Sequence, residues 1–159
     1  MKNIFIASDH AGFELKNQLL PFLRDLGYEP KDFGAYEFNA DDDYPDFVTP
    51  IAKAVSESGG AEKGIIIGGS GQGEAMVANR FAHVRAVVFN GQYKPESGRY
   101  IPQEIITSRE HNDANILSLG ARFLSEKDAR EAVETWLLTP FSNDERHVRR
   151  LKKLDEIHG

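Results

Sequence analysis

Three short apolar runs, Ile4 to Ala7, Gly64 to Ile67 and Ala86 to Phe89, punctuate the chain. Runs of this length read as strands buried on both faces of a parallel sheet. After the first, Phe13, Leu15, Leu19, Leu20, Phe22, Leu23 and Leu26 recur at helical spacing, and Gly27 stands where a C-cap belongs. Tyr28 to Phe33 fits a second strand, and Asn115 to Leu119 a last one. Phe47 to Val55, Glu74 to Phe81 and Ala129 to Leu138 read as further helices, and Asp144 to Ile157 as a charged C-terminal helix. The segment from Gly91 to Glu104, with two prolines and two glycines, reads as a long surface loop. Alternation of this kind predicts right-handed crossovers and an α/β fold, a three-layer α/β/α sandwich on five parallel strands. Ligand sites then lie beyond the carboxyl ends of the strands, here in the loops Ser8 to Gly12, Gly68 to Glu74 and the region after Phe89.

Composition narrows the functional classes. A length of 159 residues with 40% hydrophobic content fits one domain spanning 1–159. The net charge of -6 and pI near 5.4 argue against a nucleic-acid partner, whose backbone calls for excess Lys and Arg. An anion bound here needs a local site. There is no cysteine, so disulfides, a thiolate nucleophile and cysteine metal sites are excluded. The apolar start is too brief for a signal peptide, and charges interrupt every run before bilayer length. The expectation is a soluble cytoplasmic protein with no membrane partner.

Candidate chemistry concentrates in Gly68-Gly69-Ser70-Gly71-Gln72-Gly73-Glu74. Four of its glycines fall within six residues, between a strand and a helix. Successive backbone N–H groups beside a positive helix end suit a phosphate or an oxyanion. The spacing from Gly68 to Gly73 matches a P-loop, but Glu74 and Ala75 stand where Lys and Ser/Thr belong, and a carboxylate there repels a triphosphate. A dinucleotide fingerprint fits no better, because the first strand is followed by Asp9-His10 instead. Taken alone, such glycines make a tight turn, with Glu74 as a favourable first-turn carboxylate. One potential base beside several amide donors is, however, the arrangement that removes a proton next to a carbonyl.

The remaining candidates have ordinary readings as well. Asp9 can cap the following helix, and a single His10 after a strand is commonly a hydrogen-bonding surface residue. Arg146-His147-Val148-Arg149-Arg150 can be a solvated basic face, although Arg146 and Arg150 at i and i+4 also share one side of a helix. No H-E-x-x-H or comparable spacing supports a metal. His83 and His158 fit no motif and read as structural or exposed, while Trp136 and Phe141 read as packing residues.

Taken together, Asp9-His10-Ala11-Gly12, Asp43-Tyr44-Pro45, the glycine loop with Glu74, His111-Asn112-Asp113-Ala114-Asn115 and Arg146-His147-x-x-Arg150 resemble the ribose-5-phosphate isomerase B family. Galactose-6-phosphate isomerase subunits belong to the same family. The likeness runs in order from Ile4 to about Leu154, and its specificity lies in the co-occurrence of separately weak motifs. It implies a Rossmann-like sandwich, no cofactor and no metal, and a homodimer, or a tetramer, whose active sites are shared between subunits. Some relatives carry a cysteine base at the position of Gly68 and others a glutamate at that of Glu74, and this sequence falls with the second group.

The resemblance also implies roles. Glu74 shuttles a proton between C1 and C2 of a sugar phosphate through an enediolate, whose oxygen Ser70 and the amides from Gly69 through Gly71 to Gly73 stabilise. His111 from the neighbouring subunit and Asp9 open the furanose ring, and Asn112 orients hydroxyls. Arg146 and Arg150, joined by Arg122, His10 and His147, hold the phosphate, and Tyr44 belongs to the substrate-binding set. The chain between Asn90 and His111 is longer than the family pattern, which leaves another pentose or hexose phosphate open as substrate. A non-catalytic sugar-phosphate sensor is the alternative of a different class, although retention of both Glu74 and His111 weighs against it. The α/β pattern alone also permits a nucleotide-binding module.

Overall fold

A computed structural model describes residues 2–158, with side chains through Ile157, so the reading of His158 falls outside the described side chains. Five strands form one parallel sheet: β1 (Lys2–Ser8), β2 (Tyr28–Asp32), β3 (Gly64–Gly68), β4 (Ala86–Phe89) and β5 (Ile116–Gly120). Their spatial order is β2-β1-β3-β5-β4. The central strands are the apolar ones. Every residue of β3 and of β5 is buried, because helices cover both faces. The edge strand β2 alternates between half-buried and exposed positions and carries Pro30, which an edge tolerates.

Six helices alternate with the strands: α1 (Phe13–Asp25), α2 (Tyr44–Glu57), α3 (Gln72–Ala78), α4 (Glu104–Glu110), α5 (Glu126–Leu138) and α6 (Glu145–Asp155). Leu15, Leu19 and Leu23 of α1 share one core with Ile105 of α4 and Val133 and Trp136 of α5. On the other face Val48, Ile51 and Val55 of α2 pack with Ala78 of α3 and Ile66 of β3. The expected three-layer sandwich is present, and Trp136 lies in its core.

Several boundaries and one element differ from the expectations. Helix α3, for one, runs Gln72–Ala78 where Glu74 to Phe81 was expected, closing at Asn79, whose N–H donates to the Ala75 carbonyl. Helix α2 begins at Tyr44, three residues before the first apolar position, because Pro45 near the N-terminus pre-sets the helical φ. Helix α5 begins at Glu126, where Ser125 Oγ accepts from the Asp128 backbone N–H. Helix α4 was not expected. Its seven residues, Glu-Ile-Ile-Thr-Ser-Arg-Glu, are too few to show a helical period, and it is held at its start by Gln92, whose Oε1 accepts from the Glu104 N–H at 2.7 Å. The stretch before it, from Gly91 to Gln103, has no regular element and is largely exposed, as a surface loop.

Lys16 of α1 is 1% exposed, and all its donors are used: Nζ reaches both carboxylate oxygens of Asp32 at 2.8 Å and the Ala35 carbonyl at 2.7 Å. Asp32 Oδ1 also accepts from the Gly34 N–H. The backbone at Gly34 and Ala35 in turn exchanges two hydrogen bonds of 2.7 Å with Ser8 at the end of β1. A buried cation thereby ties the loop after β2 to the loop after β1. Lys16→Met leaves the Asp32 carboxylate and the Ala35 carbonyl without their donor. The expected loss is about 3 kcal/mol, measured as a shift of the urea midpoint at unchanged slope.

Candidate active site

The loops after β1 and β3, the start of α2 and the loop after β5 converge at the carboxyl end of the sheet. The parallel register sets Ser8 beside Ile67 and Gly68 beside Gly120, so Asp9, the glycine loop and Arg122 follow from three neighbouring strand ends. Gly71 has φ +73, a left-handed turn, and its carbonyl accepts from Ser118 Oγ at 2.6 Å. The Ser70 carbonyl accepts from Asn90 Nδ2 at 2.9 Å. Ser118 of β5 and Asn90 just after β4 therefore fix the loop from behind.

Glu74 sits in the first turn of α3 and is only 4% exposed. Its carboxylate fills the space beside Gly68: a β-carbon on residue 68 would fall onto Oε1. Burial raises the Glu74 pKa above the ordinary 4.5. The negative charge of Asp9 adds to this, and a backbone hydrogen bond opposes it. Such a group takes up a proton more readily than an ordinary glutamate.

Asp9 is buried, with Oδ1 accepting from the N–H groups of Ala11 and Gly12 at 2.9 and 3.1 Å. It thus caps the turn before α1 and not the helix itself, whose N-cap is Gly12 with no side-chain hydrogen bond, and its second oxygen lies outside that turn. His10 is half-buried and paired with Asp42 at 2.6 Å. The Tyr44 ring packs over Gly73, where an added β-carbon would meet it at 2.7 Å. The Arg122 guanidinium lies against Gly69, at 3.1 Å from the corresponding position. Ser70 Oγ accepts from the Gln72 N–H at 3.3 Å, which leaves its own O–H free to donate outward.

The other candidates lie elsewhere. His111 is the C-cap of α4, and Asp113 to Asn115 lead into the start of β5, so His111 and Asn112 stand at the amino end of the sheet. Both are exposed. The His147 ring packs against that of His111 with centroids 4.3 Å apart. Within one chain, the Glu74 group and the His111 group are separated by the length of β5, five residues or roughly 16 Å.

His147 occupies a different place from the open phosphate site expected of it. It is buried at 2% exposure, its Nδ1–H donates to the His111 carbonyl at 3.0 Å, and its Nε2 accepts from Arg146 Nε at 2.9 Å. Both ring nitrogens are committed, and the residue braces His111 from behind. Arg146 and Arg150 are exposed on α6. His83, half exposed, reaches Asp155 at 4.0 Å and touches none of the candidate residues. No motif in the sequence contains Asp42, Asn90 or Ser118. Asp42 is one acid in the run Asp41-Asp42-Asp43, and only its nearness to the Tyr44-Pro45 motif pointed to it.

The Glu74 pKa shift has a consequence for stability. As pH rises from 4.5 through the raised native value, the unfolded chain gives up this proton first, so stability falls and the loss is complete above that value. Glu74→Gln should therefore melt at a higher temperature than the natural protein at neutral pH. The difference should vanish once the pH falls below the ordinary carboxylate range, which calorimetric melts across that range will check.

Comparison with known proteins agrees with this geometry. The family model described as ribose/galactose isomerase matches residues 4–154. Ribose-5-phosphate isomerase B of Mycobacterium leprae is 34% identical over 155 residues, covering 97% of this chain and 88% of that protein. The Escherichia coli K12 protein of the same name is 34% identical over 157 residues, covering 99% and 97%. Among solved structures, ribose-5-phosphate isomerase B from Mycoplasma genitalium with bound ribulose-5-phosphate superposes with TM-score 0.87 at 33% identity, covering 98% of this chain and 95% of that one. The Clostridium thermocellum enzyme gives 0.85 at 41% identity, with 98% and 97% covered. With the motifs in order, the sheet in the same topology and the match extending over nearly every residue, the chain belongs to the ribose/galactose isomerase family.

Proposed function

We propose that the protein, as one catalytic domain over 1–159, interconverts ribose 5-phosphate and ribulose 5-phosphate by proton transfer through an enediolate. The observation that carries this reading is the Glu74 carboxylate, buried beside Gly68 with raised proton affinity and adjacent to a loop of backbone donors. Acting as base, Glu74 takes the proton from C2 of the open-chain aldose. The electron pair moves to form the enediolate, and the proton returns to C1. Negative charge then develops on the former carbonyl oxygen of C1, where Ser70 O–H and the amides of Gly69, Gly71 and Gly73 donate, and the C2 hydroxyl proton passes to that oxygen as the C2 carbonyl forms. Asp9, with one oxygen outside its turn, accepts from the sugar during ring opening. Tyr44 closes the sugar pocket, and Arg122 and His10 approach the phosphate. No cofactor or metal takes part in this reading.

Ring opening and phosphate binding also draw on His111, Asn112, Arg146 and Arg150. One chain does not bring these to Glu74, which supports a homodimer in which each site takes its His111 group from the neighbouring subunit. Exposed Met76 of α3 and Val148 and Leu154 of α6 supply apolar surface for such an association. His147 acts there by holding His111 and Arg146 in place. The described residues include no helix long and apolar enough to cross a membrane, in keeping with work in the cytoplasm.

Turnover of ribose 5-phosphate in deuterated solvent should place deuterium on the reacting carbon, read by proton NMR. Glu74→Gln should lose both exchange and ketose formation, and exchange that persists in this variant would refute the assignment of the base. Gly68→Ala should fold yet displace the carboxylate, lowering kcat about 100-fold. Mixing inactive Glu74→Gln with inactive His111→Ala protein tests the shared site. Subunit exchange should restore about a quarter of the natural activity, whereas a site contained in one chain would give none.

A further inference from the structure

One carboxylate at this site matches none of the motifs. Asp42, in the segment between β2 and α2, meets His10 twice: Oδ1 accepts from the His10 backbone N–H at 3.1 Å and lies 2.6 Å from Nδ1. The Asp42 side chain is 8% exposed, and its Oδ2 is buried with no partner among the described residues. A carboxylate facing Nδ1 requires the proton to be on Nδ1. The Phe38 ring stands edge-on to the imidazole at 6.3 Å and limits its rotation. Nε2 makes no hydrogen bond among the described residues.

We propose that Asp42 is a positioning residue of the phosphate subsite, fixing the His10 ring so that Nε2–H donates to an oxygen of the bound sugar phosphate. The inference rests on the sugar-phosphate reading given above. Its chemistry follows from the tautomer. With Nδ1–H committed to Asp42, a neutral ring would turn a lone pair on Nε2 toward the anion and repel it. Only the imidazolium offers a donor there. The groups facing His10 favour that cation: the hydrogen bond that Nδ1–H donates to Asp42 raises its pKa above 6.5, the Asp9 and Asp42 charges add to it, and burial and Arg122 oppose it. Glu14 lines the same mouth and adds negative charge. Asp42 thereby selects both the orientation and the charge of the ring.

The test combines imidazole nitrogen NMR titration of the free protein with steady-state kinetics on ribose 5-phosphate. Asp42→Asn keeps the shape and a hydrogen-bond acceptor but removes the charge. It should lower the His10 titration midpoint and raise KM roughly tenfold while leaving kcat within about threefold. In a His10→Gln background the same change should add less than about twofold, since Asp42 acts through His10. An unchanged midpoint, an equal loss in both backgrounds, or a collapse of the melting transition in Asp42→Asn would each overturn the proposal, the last by making Asp42 a purely structural residue. If the natural protein fails to turn over ribose 5-phosphate, the functional reading falls. The His10 titration, repeated with inorganic phosphate as ligand, still decides this one: phosphate should raise the midpoint in the natural protein and do so less in Asp42→Asn.

Discussion

A carboxylate buried with no cation beside it among the described residues is the demand around which the site is arranged. The groups acting on Glu74 are burial, one backbone hydrogen bond and the like charge of Asp9, so its environment favours the protonated form. Holding such a group in one position requires rigid surroundings, and β3 supplies them by being buried along its whole length in the middle of the sheet. The glycine loop departs from that strand and is tied to its neighbours through Ser118 and Asn90. The lack of a side chain at Gly68 leaves the volume that the Glu74 carboxylate takes. Sheet order, loop bracing and the glycine pattern thus serve one placement, with the cost of burial offset by the core beneath it.

The architecture was largely legible from the chain because the apolar runs at Ile4, Gly64 and Ala86 are short, continuous and regularly separated by helical patterns. These are local signals, and the structure places strands on all three. The glycine loop was legible for the same reason, since a strand, four glycines and a helix follow one another directly between Gly64 and Ala78. What stayed hidden depends on contacts between distant segments. Asp42 meets His10 across 32 positions, and Asn90 meets Ser70 across 20. No spacing rule joins residues that far apart. Helix α4 escaped because two turns leave no period to detect, and it is anchored by Gln92, twelve residues earlier.

The candidate residues fall into two groups at opposite ends of the sheet. Glu74, Asp9, His10, Tyr44 and Arg122 follow strand ends, where α/β folds gather ligand-binding loops. His111 and Asn112 precede β5, and α6 folds back so that His147 lies behind His111 and Asp155 approaches Arg85 at 3.9 Å. Arg109 and Arg85 both bond to Asp113, which stiffens the turn that presents His111. The second group is therefore as firmly built as the first, although it faces away from it.

The tight fit of Glu74 against Gly68 also bears on how such sites diverge. Any residue with a β-carbon at position 68 competes for the volume that the carboxylate occupies, so the two positions are not free to drift independently. A lineage that moved its base from one position to the other would pass through a form in which the incoming side chain and the outgoing carboxylate collide, unless both positions changed together. Steric exclusion within a single loop would then separate two catalytic solutions on one fold into distinct branches, with few viable sequences between them.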